Sequence, residues 1–272
     1  MFCKAVLSIL AALPAFPQPP AFVAITITPA RSVGPRDARF EVRPNGDLFA
    51  RAFPVARLLS YAYDLPANPS SRLSTLPDWT FSEKYDIDAK AAGNAIPASL
   101  QDTEIRGRIQ QMVRELLAGR FRLVMRVENK TTSVYALTVA SAGPKFQKAA
   151  VTERDCLPAA SQESCHGFAD GLGHPLTARA ADMDDLARYI ENWTDLPVVN
   201  RTALSGLFTL NSEGWIPMRL PPPPPGPSPT ANPFAGLPTI FTVLDKLGLE
   251  LHRQEAAVAV YTLERIERPA AN

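Results

Sequence analysis

Few side chains in this sequence are spaced for acid–base or nucleophilic chemistry. Asp86 and Asp88 lie in the run Tyr85-Asp-Ile-Asp-Ala-Lys90, alternating with Tyr85, Ile87 and Ala89. Alternation with period two places both carboxylates on one face of a strand, where they could share a proton or hold a cation. The same alternation describes a solvent face opposite three core residues, and no further oxygen ligands lie nearby in the sequence. His252 stands between Leu251 and Arg253 in what reads as a half-exposed strand. With Asp86 or Asp88 it completes the acid–base set that a hydrolase would need. The other histidines, His166 and His174, follow two cysteines in the pattern Cys156-x8-Cys165-His166-x7-His174. Zinc knuckles bring two ligands within two to four residues of each other, so the spacing favours a disulfide between Cys156 and Cys165 over a metal site. There is no nucleophile elbow, His-Glu-x-x-His, Ser-x-x-Lys, phosphate loop or dinucleotide fingerprint. No motif calls for a cofactor.

The aromatic residues offer binding rather than catalysis. Tyr61, Tyr63, Trp79, Trp193 and Trp215 fall at the expected ends of helices or in loops, where exposed rings can grip a peptide or a sugar. Each ring taken singly also suits core packing. Trp79, Trp193, Trp215 and Tyr63 form the candidate ligand-binding set.

Bulk properties exclude some partners. The 272 residues carry 28 basic and 27 acidic side chains, a formal net charge of +1, and 46% are hydrophobic. That balance lacks the basic field needed to neutralise the phosphates of a nucleic acid. The first residues, Met-Phe-Cys-Lys followed by an apolar run from Ala5 to Leu13, read as a removable signal peptide over 1–20. The run is too short to span a bilayer, so no stable transmembrane segment is expected after its removal. The expected destination is the periplasm or the exterior.

The elements that must position these residues come in two sets. Leu48-Phe-Ala-Arg-Ala52 returns as Leu176-Thr-Ala-Arg-Ala180, shifted by 128 residues. Val55, Leu58, Leu59 and Ala62 have counterparts at the same shift in Met183, Leu186, Ala187 and Ile190, and both sets trace one buried helical stripe. Met112, Val113 and Leu116 fall on Ile240, Phe241 and Leu244. The constant shift indicates an internal duplication. Residues 22–144 form the first half, 145–175 a connecting insert with the cysteines and glycines, and 176–272 the second half. A proline-rich insert at 217–238, with five consecutive prolines from Pro221 to Pro225, interrupts the second half and reads as an extended spacer. Each half is expected to run strand, helix, strand, helix, strand, strand. Hairpin turns are expected at Asn129–Thr132 and between Gln254 and Val258. The fold class is α+β, each half a small, mostly antiparallel sheet with two helices packed on one face.

Several phrases together resemble a known family. They are Leu76-Pro-Asp-Trp79 leading to Tyr85-Asp-Ile-Asp-Ala-Lys90, Leu116-Leu-Ala-Gly-Arg-Phe-Arg-Leu123 leading to Val134-Tyr-Ala-Leu-Thr-Val-Ala140, and Leu196-Pro-Val-Val-Asn-Arg-Thr-Ala-Leu-Ser-Gly-Leu-Phe208. The chain resembles a soil-associated family of uncharacterised exported bacterial proteins, a domain of unknown function. The resemblance implies a signal peptide and, from relatives joined to sensor-type metallopeptidases or thioredoxin-like domains, a sensing or binding role outside the cytoplasm. It transfers no catalytic residue. Relatives often carry Asp at the place of Gly119 and His at the place of Arg126, and these departures weigh against catalysis in this chain. The expected function is a non-enzymatic binding or sensing module for a peptide, an envelope polymer or a protein partner, with a ligand groove where the halves meet. An extracytoplasmic hydrolase and a purely structural envelope protein are the alternatives.

Overall fold

The computed structural model describes residues 20–31, 38–66, 72–93, 95–157, 165–219 and 232–270. The expected signal peptide and most of the proline-rich insert lie outside the described residues. The element order is β1 (Phe22–Pro29), β2 (Arg39–Val42), β3 (Leu48–Pro54), α1 (Val55–Tyr63), α2 (Trp79–Ser82), β4 (Lys84–Ala91), α3 (Asp102–Arg120), β5 (Val124–Val139), β6 (Gln147–Lys148), β7 (Ala178–Ala181), α4 (Met183–Glu191), β8 (Val198–Asn200), β9 (Phe208–Leu210), α5 (Ile240–Lys246) and β10 (Leu249–Arg265). Helices and mostly antiparallel sheets make this an α+β fold.

The described strands form three sheets, with orders β1-β4-β3-β2, β10-β5-β8 and β6-β9-β7. In β4 the alternation acts as expected, since Tyr85, Ile87 and Ala89 are buried. The stripes of both amphipathic helices also face inward: Val55, Leu58, Leu59 and Ala62 from α1, and Met183, Leu186, Ala187 and Ile190 from α4. These two helices begin and end 128 residues apart.

The structure departs from the expected turns in one large respect. Residues 124–139 form a single strand, β5, and residues 249–265 form another, β10, with no hairpin turn in either. The two pair antiparallel along nearly their whole length, and the supposed turn residues Asn129–Thr132 lie opposite Ala256–Ala259. Asn129-Lys-Thr-Thr132 contains neither glycine nor proline, so nothing forces a reversal. Its polarity reflects exposure, as Asn129, Lys130, Thr131 and Thr132 all face solvent.

This ribbon connects two cores. One gathers α1, α3, the inner face of β3 and β4, and Phe121, and the β10 residues Tyr261 and Leu263 pack against it. The other gathers α4, α5 and Trp215 with Leu137 of β5 and Leu249 and Leu251 of β10. Each core therefore contains side chains from both strands of the ribbon. Gly248, between α5 and β10, has φ +72°, and a Cβ there would collide with the Gly143 carbonyl.

Candidate functional site

The clearest concentration of chemistry lies where the N-terminal portion meets the insert and α4. It begins with the start of α4. Asp182 caps that helix by accepting from the Asp185 backbone N–H at 2.6 Å, and Asp185 reaches back to the Asp182 N–H at 3.0 Å. This reciprocal cap satisfies two backbone donors and places two carboxylates at the positive end of the helix dipole. Asp185 is fully buried, with a side-chain exposure of 0%.

Three cations neutralise this pair. His166 Nδ1 donates to Asp185 Oδ2 at 2.6 Å, while His166 Nε2 donates to Glu153 at 2.9 Å. Arg106, from α3, donates to Asp182 at 2.9 Å and lies 2.8 Å from Asp185 Oδ1. Its other nitrogen donates at 2.9 Å to Asp64, which closes the C-terminus of α1 in a left-handed conformation. Arg188 of α4 bonds both Asp64 and Asp185. A second ion pair beside this network joins Arg72 to buried Glu191 through two hydrogen bonds of 2.9 and 2.7 Å.

The insert holds His166 in place. The Cys156–Cys165 disulfide is formed, as the spacing favoured. His166 N–H donates to the Ala180 carbonyl of β7 at 2.7 Å, and His166 takes φ +57°. A histidine in the left-handed region is uncommon and is kept there by its surroundings. Here those are the disulfide, the β7 bond and two carboxylates.

Electrostatics follow from this geometry. Burial alone would lower the His166 pKa, but the hydrogen bonds to Asp185 and Glu153 raise it to about 10. Burial, and then the neighbouring Asp185 charge, push Asp182 up to about 6. Asp185 stays below its ordinary value: burial opposes ionisation, but Arg106 and His166 outweigh it. His166 is thus a cation at neutral pH with both ring protons engaged. Glu153, His166 and Asp182 also offer ligand atoms within 4.8 Å of one another, the one such group found among the described residues. A metal would have to take His166 without its proton and displace Arg106 from Asp182, so the set is better matched to an ion network.

Folding linkage gives this network a pH signature. A folded-state pKa of about 10 against 6.5 for a free imidazole means the His166 contribution is complete below pH 6.5. It is lost as the pH rises through 10. The stability difference between the wild type and His166→Gln, measured by urea unfolding, should therefore be greatest below pH 6.5 and shrink steadily towards pH 10. A difference that grows with pH would contradict the assigned charge state.

Two cavities open on either side of this network. The first, of about 380 Å³, is walled by Phe40, Phe53, Ile105, Ile109, Leu157 and the disulfide. The second, of about 300 Å³, is walled by Ser60, Leu65, Phe168, Asp185, Arg188 and Tyr189. Arg57, Tyr61, Arg106 and His166 line both.

The residues singled out from sequence are dispersed. Trp215 is fully buried in the second core, its Nε1 donating to the His174 carbonyl at 3.0 Å. Trp193 stacks on the His174 ring at 3.6 Å. Trp79 packs against the first core with the Arg268 guanidinium 5.1 Å above its ring, and Tyr63 meets Tyr261 edge-on at 5.5 Å. None of these four lines the two cavities. Asp86 accepts from the Ala52 N–H at 2.8 Å, and Asp88 pairs with Arg51 at 2.7 Å on the four-stranded sheet. His252 is exposed on β10 beside Glu250. The acid–base set proposed for a hydrolase is not assembled. Asp64, Arg106, Glu153 and Arg188 carry no local sequence signal, whereas His166 stood out beside Cys165 without its carboxylate partners.

No curated protein and no solved structure matches this chain. A family described as protein of unknown function (DUF3738) matches residues 56–266, taking in nearly all of α1, the ion network from Asp64 to Arg188, the second core and the paired ribbon. That span covers most of the sequence, and the chain belongs to this family.

Proposed function

We propose that this chain is a binding or interaction module that works outside the cytoplasm and takes a peptide or cell-envelope ligand in the cleft beside its ion network. The observation that carries this reading is the pair of cavities meeting at Arg57, Tyr61, Arg106 and His166. Ligand pockets are typically concave, roughly 300–1,000 Å³, largely apolar and furnished with a few convergent polar groups. The groups nearby that could serve a reaction are engaged otherwise. A general base needs a free lone pair near the working pH, and His166 donates from both nitrogens to carboxylates. Binding without turnover accords with that state.

The disulfide in the cavity wall suits an oxidising compartment. No helix among the described residues is long and apolar enough to cross a membrane. The disulfide accords with export. The coincident spans of α1 and α4 support descent of the two halves from one duplicated unit.

Ligand-observed NMR on mixed short peptides and peptidoglycan fragments tests the reading, with Ala38→Trp as the comparison. Ala38 lines the first cavity and is only half-buried, so an indole there can obstruct the space without breaking a core. Saturation transfer to some components is expected in the wild type, and a loss of about tenfold or more in affinity in Ala38→Trp at an unchanged melting temperature. Binding indifferent to Ala38→Trp, or chemical conversion of a bound component, would overturn the reading.

A further inference from the structure

The cations around the two cavities are not equivalent. Arg106, His166 and Arg188 each face carboxylates of the protein itself. Arg57 does not. It is exposed on α1, its guanidinium lies 4.9 Å from the Phe53 ring centroid, and among the described residues it makes no ion pair or hydrogen bond. Tyr61 is four residues further on, so both side chains leave the same face of α1. Its ring packs on Phe40 at 4.7 Å, and among the described residues its hydroxyl has no hydrogen-bond partner. Burial raises the phenol pKa to about 12, which keeps the hydroxyl a donor. Two unused donors, one of them charged, thus point to the border shared by the two cavities.

We propose that Arg57 and Tyr61 receive the C-terminal carboxylate of a peptide whose last side chain is large and apolar. The inference rests on the cleft being a ligand site, as argued above. A guanidinium and a phenol together match the two oxygens of a carboxylate, and Arg57 is the cation at the border that faces no carboxylate of the protein among the described residues, so the ligand can supply its anion. The first cavity, with Phe40, Phe53, Ile105 and Ile109 in its wall, accepts an aromatic or branched side chain. The second, with Ser60 and Tyr189 among its lining, has hydroxyls suited to the preceding peptide units. A C-terminal residue branches at its Cα into carboxylate, side chain and chain, and the site offers one place for each. An unbranched fatty acid would meet the cation and fill a single cavity.

Isothermal titration of the disulfide-intact chain with three probes tests this: N-acetyl-Ala-Ala-Phe with a free carboxylate, the same peptide as its C-terminal amide, and dodecanoate. The free acid is expected to bind about tenfold tighter than the amide. Arg57→Gln should remove that preference, and Arg57→Lys should restore part of it, both with the wild-type melting temperature. Equal affinity for acid and amide would overturn the carboxylate anchor while leaving the cleft as a ligand site. Tighter binding of dodecanoate than of the acid would overturn the peptide in favour of a lipid. Silence from all three probes would overturn the inference as well. The Ala38→Trp comparison on mixed peptides then reports separately whether the cleft binds other ligands.

Discussion

Asp185→Ala is expected to lower the unfolding free energy by about 3–5 kcal/mol in urea titrations. The carboxylate is fully buried and accepts from His166, Arg106, Arg188 and the Asp182 backbone. Removing it leaves three cations facing Asp182, Asp64 and Glu153 without their central counter-charge, and it also breaks the cap of α4. The attraction between buried ions need not exceed the cost of burying them, but stranding one side of the network is costly. A cost under about 1 kcal/mol would place Asp185 in the class of exposed pairs and remove the network from any structural role.

Trp215→Ala should cost a similar amount, about 3–5 kcal/mol, by emptying the largest fully buried side chain in the described structure. The indole lies within the second core, and its Nε1 is satisfied by the His174 carbonyl. Trp215→Phe keeps most of the packing and strands that carbonyl, so about 1–2 kcal/mol is expected for it. If alanine were tolerated within 1 kcal/mol while ligand affinity fell, the residue would belong to a recognition surface instead. The burial argues for the core.

The contrast between these residues shows what the sequence disclosed. The stripes of α1 and α4 were legible because their repeat of 3.6 residues is a local property, and the alternation in β4 was legible for the same reason. Tryptophan identity was a poor guide, because a large ring suits a core and a binding surface equally, and only tertiary burial separates them. The ion network was hidden for a different reason. Asp64, Arg106, Glu153, His166 and Asp185 lie on separate elements, and each charge alone reads as a solvated surface. Burial arises only when α1, α3, the insert and α4 converge. Asp182 and Asp185 have the spacing of a reciprocal cap, but their burial follows only from that convergence. The missed ribbon is instructive too: a two-stranded stretch wet on both faces has the polarity of a turn without its glycine or proline.

That ribbon governs how the chain can fold. Its partners stand more than a hundred residues apart, and each core needs side chains from both strands. Loop closure over that span must precede the pairing of the ribbon, which is the condition for slow folding of high contact order. A nascent chain ending anywhere before β10 lacks the strand that completes both cores. The first core has its buried residues in place earlier but lacks the cover of Tyr261 and Leu263, and the second lacks Leu249 and Leu251 outright. If the chain, exported as proposed above, crosses the membrane unfolded, the last strand would act as the clock.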